Sequence, residues 1–370
     1  MDGLLFSFLS IPIIATLLPH YCHIIATLLP FLPFNHWTVR IFDFPRLQIA
    51  ILNFLCLVIG WVALPEPRWL LVILQLLNLT CMGYQIWEIV AYTRLVRPQV
   101  LQYQGERDQR SISLLTTNVL TPNRQVHKLL SLIEQWQPDV VLTLETDLWW
   151  EEKLASLEAH YIYTVKIPLD NLYGMHLYSR LPLRNTEIRH WVQEDIPSIY
   201  TEACLPSGEW IHLYCLHPMP PTPTESATST QRDAKLLLVG QEISNHNQSV
   251  LVFGDLNDVA WSTTSLLFQK TSGLLDPRVG RGLYSTFHAK YPFLRWPLDH
   301  IYHSNDFMMR DIRVLSEIGS DHFPVYGCFQ YHPCVEVAQP EPEVEETDHE
   351  LAQEKIAEAD PEKKVIAEKY

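Results

Sequence analysis

Positive charge is scarce in this chain. Lys and Arg number 27 against 42 Asp and Glu, a formal net charge of −15. There is no basic helix, no Arg/Lys-rich loop and no interleaving of aromatic with basic residues of the kind that grips single strands. Affinity for nucleic acid comes largely from cations that neutralise phosphates, so a nucleic-acid partner is disfavoured on charge. Cysteine is equally uninformative as a framework: the seven are odd in number, scattered and without a CxxC pair. That excludes a disulfide scaffold and a thiolate metal site. No basic stretch precedes the first apolar run, and that run is too long for a cleaved signal peptide.

What is abundant is apolar sequence near the N-terminus. From Leu4 to Tyr92, Leu, Ile, Phe and Val dominate, and Leu47 to Leu64 and Trp69 to Tyr92 are each long enough to cross a hydrocarbon core about 30 Å thick. Residues 4–34 contain the heptamer Ile-Ile-Ala-Thr-Leu-Leu-Pro twice, at 13 and at 24, around Pro19-His20-Tyr21-Cys22-His23, which makes a third span or a re-entrant hairpin. The expectation is a multi-pass membrane protein with a bilayer as partner. Residues 1–93 form the spanning region, 94–110 a basic juxtamembrane linker, 111–332 a globular domain, and 333–370 an acidic tail, disordered or a solvated single helix. The arginines Arg40, Arg46, Arg94 and Arg97 favour a cytoplasmic globular domain by the positive-inside rule.

In the globular part, apolar runs repeatedly end in a polar residue. Thr116-Thr117-Asn118, Leu144-Glu145, Leu216-His217-Pro218, Phe253-Gly254-Asp255-Leu256-Asn257, Leu298-Asp299-His300 and Gly319-Ser320-Asp321-His322 occur in that order. Short polar residues just after buried strands converge in one cleft when the sheets end at a common edge. Strands are expected at 112–118, 140–145, 210–216 and 250–254, with antiparallel strands between Tyr161 and His217 and short strands near Ile301, Val314 and Val325. Helices are expected after Thr121-Pro122, over 148–158, 231–245 and 263–272. Two packed sheets with helices outside follow from that alternation.

The ordered set Asn, Glu, His, Asp-x-Asn, Asp, Ser-Asp-His resembles the endonuclease/exonuclease/phosphatase superfamily over about residues 110 to 330. The resemblance implies an α/β fold, a four-layer sandwich, here preceded by transmembrane helices, and a metal-dependent hydrolase acting on phosphate esters. It implies that Glu145 is the principal Mg²⁺ ligand, with Mn²⁺ as the alternative ion, that Asn118 supports the metal, and that Asp321 is a second-metal or outer ligand. Mg²⁺ favours hard oxygen donors and few protein groups, which suits a carboxylate closing an apolar strand. Asp255 and Asn257, two apart on an extended segment, would point to one side, the carboxylate orienting water and the amide holding a phosphate oxygen. His322 with Asp299 would act as a general-base or phosphate-stabilising dyad, and His217 would serve the leaving oxygen or bind phosphate. Arg232 and Arg295 are candidates for clamping substrate phosphate. His300 should point away from the cleft by strand alternation. With membrane spans ahead of such a domain, the expected substrate is a phosphate or pyrophosphate group on a lipid. The alternatives are a nuclease or sphingomyelinase-type phosphodiesterase, or a catalytically silent scaffold.

Overall fold

The structure, a computed structural model, describes residues 17–63, 68–246 and 248–359. Its helices are the apolar α1 (Leu17–Phe31), a single turn α2 (Trp37–Arg40), α3 (Arg46–Ala63), α4 (Arg68–Val90), α5 (Val126–Trp136), α6 (Leu148–Leu154), α7 (Thr230–Ser244), α8 (Thr263–Ser272) and α9 (Glu346–Ala359). Its strands are β1 (Ser111–Asn118), β2 (Val140–Leu144), β3 (Tyr163–Ile167), β4 (Met175–Ser179), β5 (Leu183–Arg189), β6 (Ser198–Cys204), β7 (Trp210–Cys215), β8 (Val250–Asp255), β9 (Asp299–His303), β10 (Phe307–Val314) and β11 (Val325–Tyr331).

Two sheets form, ordered β10-β11-β1-β2-β4-β3 and β5-β6-β7-β8-β9. Successive side chains of a strand face opposite ways, so each apolar run serves two layers. Ile112 and Leu114 of β1, Leu142 and Leu144 of β2, Leu213 of β7 and Phe253 of β8 fill the space between the sheets. Leu115 and Val141 turn outward under α5 and α6, while Tyr214, Val250 and Val252 turn outward under α7 and α8. Helix, sheet, sheet and helix make the expected four layers. The helix expected at Thr121-Pro122 starts later, at Val126, because Thr121 is drawn to Glu145 instead of capping it.

The parallel pairs β1–β2 and β7–β8 are central to their sheets. Their C-terminal ends lie on one edge of the sandwich, where they meet the N-terminal ends of the antiparallel β9 and β11. All six polar strand ends read from the sequence are therefore at that edge.

The apolar N-terminal region departs from the multi-pass expectation. Among the described residues one helix, α4, is long and apolar enough to cross a membrane. A second qualifies only if Trp37–Asp43 and Arg46–Val62 count as one span bent by 75°. The chain breaks at Phe44-Pro45, and α3 alone covers about 27 Å, short of a hydrocarbon core. The third expected span is the shorter α1, and residues 4–16 lie outside the described residues, as do Leu64 and the tail beyond 359. Residues 94–110 are not a free linker: Val100 is fully buried in the inter-sheet core, and Tyr103 pairs with Met309. The expected disordered or solvated tail is corrected too. Its helix α9 packs Leu351, Ala352 and Ile356 against Leu237 and Leu267, with Lys355 on Asp233 at 2.9 Å. Leu351 and Ala352, with Ile356 one turn further on, give the acidic tail a face to bury.

Candidate functional site

At the common edge, Glu145 follows β2 with φ of 60°, a left-handed turn that brings its carboxylate back over the strand ends. Asn118 ends β1, and its side-chain amide donates to Glu145 Oε1 at 2.7 Å and to Asp255 Oδ2 at 3.2 Å. Thr121 adds its backbone N–H to Glu145 Oε2 at 3.4 Å. From the other sheet, Asp255 and Asp299 are direct register partners on β8 and β9. His322 bridges them: Nδ1 lies 2.8 Å from Asp299 Oδ2 and Nε2 lies 3.5 Å from Asp255 Oδ2. His217 approaches the same Asp255 oxygen with Nε2 at 3.9 Å.

Gly254 makes this convergence possible. Its φ is 141°, and a Cβ there would sit 2.1 Å from the Leu216 carbonyl oxygen. Only glycine lets the 216–217 segment lie flat against the end of β8, which places His217 beside Asp255.

The electrostatics divide these groups. Burial raises the Asp255 carboxyl to about 7 against the pull of His322, and burial raises Glu145 to about 6 despite the Asn118 hydrogen bond. His322 is desolvated as well, yet Asp255 and Asp299 together lift it to about 10, so it is an imidazolium at neutral pH. His217 goes the other way, lowered to about 3 by burial and by the nearby Lys235 and His322. Neutral His217 and charged His322 thus flank one carboxylate.

Two clusters could attract a cation. Asp255, Asp299 and His322 offer ligand atoms within 4.8 Å of one another, with the imidazole already engaged by both carboxylates. Glu145 is the better fit for a hard ion: an oxygen donor, largely desolvated, with neutral hydrogen-bond partners, and with Asp321 close enough to raise its carboxyl further. A carboxylate oxygen at Glu145 suits Mg²⁺ or Mn²⁺, while Asn118 turns its NH2 to that carboxylate and its Oδ1 accepts the Leu120 N–H at 3.0 Å, so it supports Glu145.

Several expected details differ. Asn257 does not share an extended segment with Asp255. Its φ is 52°, its N–H donates to Asp255 Oδ1 at 2.9 Å, and its side-chain amide donates to the Pro218 carbonyl at 2.9 Å. A local turn, rather than strand alternation, keeps the pair together. Arg232 is not available as a clamp: it is buried, with Nη2 on Asp233 at 2.8 Å, and Nη1 on the Asn257 carbonyl at 2.8 Å and on Asp258 at 3.3 Å. It fixes the turn that carries Asn257. Arg295 spends Nη2 on the Ala289 carbonyl at 3.0 Å and stacks over Phe323 with its carbon 4.9 Å from the ring centre. Asp321 is half-buried beside the cleft, taking the Ser320 hydroxyl at 3.3 Å. His300 points away, as alternation requires, with Nε2 against the Asp258 carbonyl at 2.8 Å.

The sequence reasoning missed Tyr173 and Lys235. Tyr173 packs its ring on His217 with centres 5.2 Å apart and donates its hydroxyl to Glu225. The signal was Tyr173-Gly174 at the start of β4, where a Cβ on Gly174 would meet the Thr146 carbonyl oxygen at 1.9 Å. Lys235 is buried on α7, its ammonium 3.3 Å from the Pro197 carbonyl, and burial lowers it to about 7. It sits in a helix with no pattern to single it out.

Comparison with known proteins agrees with this geometry. Among curated protein sequences none matches this chain. In structure it is similar to TDP2 of D. rerio, solved with a single-strand DNA product, at 18% identity and a TM-score of 0.51, over 60% of this chain and 99% of that one. A humanized D. rerio TDP2 carrying 14 mutations matches at 16% identity and a TM-score of 0.50, again over 60% of this chain and 99% of that one. At these identities the likeness concerns the fold. The family model for the Endonuclease/Exonuclease/phosphatase family matches residues 115–322, from β1 to the Asp321-His322 pair, and the chain belongs to that family.

Proposed function

We propose that this protein is a membrane-anchored, Mg²⁺-dependent phosphoesterase that removes a phosphate or pyrophosphate group from a lipid-linked substrate. The observation that carries the reading is the contact between the apolar helices and the polar edge. The end of α4 enters one cluster with the segment just after Asn257: Ile89 and Tyr92 pack with Val259, Ala260, Trp261 and Leu298. Tyr92 donates its hydroxyl to the Ala260 carbonyl at 2.7 Å, and Trp261 donates its indole N–H to the Asp43 carbonyl at 2.8 Å. A cleft built against the foot of its own anchor meets substrates at the bilayer surface.

Glu145 and Asp321 would hold the ion, with Asn118 in support, and the ion would supply charge neutralisation at the phosphoryl oxygens. Asp255, with a carboxyl near neutrality, is suited to accept the proton of an attacking water. Asp299 fixes His322 through Nδ1, so the charged ring keeps one orientation and presents positive charge to the phosphoryl group. Neutral His217, packed against Tyr173, approaches the same Asp255 oxygen as His322, from where it can relay the proton that Asp255 takes from water to the leaving oxygen. Asn257 offers an amide to a phosphate oxygen, its orientation set by Pro218 and Arg232.

A nuclease reading draws on the DNA-bound TDP2 structure, and the net charge of −15 opposes it. The deciding experiment assays the full chain in detergent micelles and in vesicles, with Mg²⁺, against a polyprenyl pyrophosphate, a phosphodiester lipid and single- and double-stranded DNA. The proposal expects turnover of the first. Efficient cleavage of DNA with the lipid pyrophosphate untouched would replace it by the nuclease reading.

A further inference from the structure

The segment between Phe287 and Trp296 has an unusual surface. Tyr291, Phe293 and Leu294 are 58%, 87% and 50% exposed, three large apolar side chains within four residues. Scattered apolar residues on a surface need no explanation, but a cluster at one loop tip is costly in water unless something covers it. Lys290, on the same tip, is exposed, and Arg295 closes it. An apolar tip with flanking cations is the composition that settles at a lipid interface, the apolar side chains among acyl chains and the cations among anionic headgroups.

Its position points the same way. Gln48, in the first turn of α3, donates to the Phe293 carbonyl at 3.0 Å and to the Arg295 carbonyl at 3.4 Å. The loop therefore borders the end of the apolar helices that adjoins the catalytic domain. Leu47 and Ile51 of α3 are 39% and 50% exposed there. If α3 and α4 are embedded, their catalytic-domain end lies at the headgroup level, and the loop lies with it.

The loop is also tied to the chemistry. Ala289 donates its N–H to the Asp321 carbonyl at 2.7 Å, Phe323 donates to the Thr286 carbonyl at 2.9 Å, and the Phe287 ring lies 5.0 Å from that of His322.

We propose that residues 290–295 are an interfacial contact, in which Tyr291, Phe293 and Leu294 enter the outermost acyl region of an anionic bilayer and hold the Asp321-His322 turn at headgroup depth. The proposal rests on the anchored reading above and adds to it a second, loop-borne point of membrane contact. With two points of contact the domain cannot swing about its anchor, so the cleft keeps one tilt toward the lipid plane.

Spin-label accessibility tests this in the full chain. The exposed Cys22 and Cys334 are replaced by serine, and a nitroxide is attached in turn at Phe293→Cys, Tyr291→Cys, Leu76→Cys on α4 and Ile188→Cys on β5. The protein is reconstituted in vesicles of phosphatidylcholine with phosphatidylglycerol. The expected result is high oxygen and low nickel-chelate collision at 293 and 291, at a shallower depth than at 76, with the reverse pattern at 188. Water-like accessibility at both 293 and 291 overturns the inference. If position 76 is lipid-like in that case, the anchored reading stands and only the loop contact fails. If 76 is water-like too, both fall together.

Discussion

The side-chain amide of Asn118 donates to two carboxylates that come from different sheets, Glu145 at 2.7 Å and Asp255 at 3.2 Å. One neutral group thus joins the two halves of the sandwich at the polar edge. Asn118→Ala removes the one donor the two carboxylates share and leaves Glu145 with the long Thr121 N–H contact and Asp255 with Asn257 and His322, and activity is expected to fall by about 10- to 100-fold with only a small change in Tm. Steady-state rates and thermal melts on the same preparation check both parts.

Glu145→Gln keeps shape and removes charge. Hydrolysis of a small water-soluble phosphate ester should drop by about 10²- to 10³-fold, and calorimetric titration should show weakened Mg²⁺ binding. Undiminished turnover of this variant in excess chelator would exclude Glu145 as the ligand.

His322→Ala and Asp299→Asn are expected to be non-additive, because the 2.8 Å contact makes them one unit. The double variant should be about as impaired as the worse single one. Losses that sum in free energy across the cycle would show two independent residues.

Lys235 supplies a pH test of stability. Burial lowers its ammonium from 10.5 to about 7. Below pH 7 the folded chain carries a buried cation that the unfolded chain carries in water; between the two values only the unfolded chain binds the proton. Stability should therefore rise with pH through that window. Lys235→Met should melt about 2–4 °C above the parent at pH 6 and converge with it near pH 10, as differential scanning calorimetry can read. A constant offset at every pH would exclude the titration.

The packed tail gives a fifth expectation. Ala352 is fully buried between α9 and the helices α7 and α8. Ala352→Glu puts an unpaired charge there and should cost about 1–3 kcal/mol, releasing α9 to limited proteolysis ahead of the rest of the chain.

Most of the polar edge was legible because strand ends announce themselves: an apolar run of five or six residues followed by Asn, Glu, His or Asp fixes both the strand and the side chain's neighbourhood. The four layers were legible for the same reason. What escaped depended on contacts between distant residues. Arg232 was expected to clamp substrate phosphate, and only the fold reveals Asp233 and Asp258 around it. Asn257 was misjudged because its left-handed backbone replaces strand alternation. The tail was misjudged because its charge dominates its composition, although Leu351, Ala352 and Ile356 suffice to bury one face. Span counting overreached at Leu47–Leu64, where the described helix α3 covers by itself only about 27 Å.

The hydrogen bonds from Tyr92 to Ala260 and from Trp261 to Asp43 have a consequence for how this protein can be taken apart. Cutting at Gln104 would strip Ile89 and Tyr92 from Val259, Ala260, Trp261 and Leu298 and leave a greasy scar beside the candidate site. Neither half is a portable module: the N-terminal helices serve as a wall of the candidate site, so a version without them would need a rebuilt surface at 259–261 as well as a shorter N-terminus.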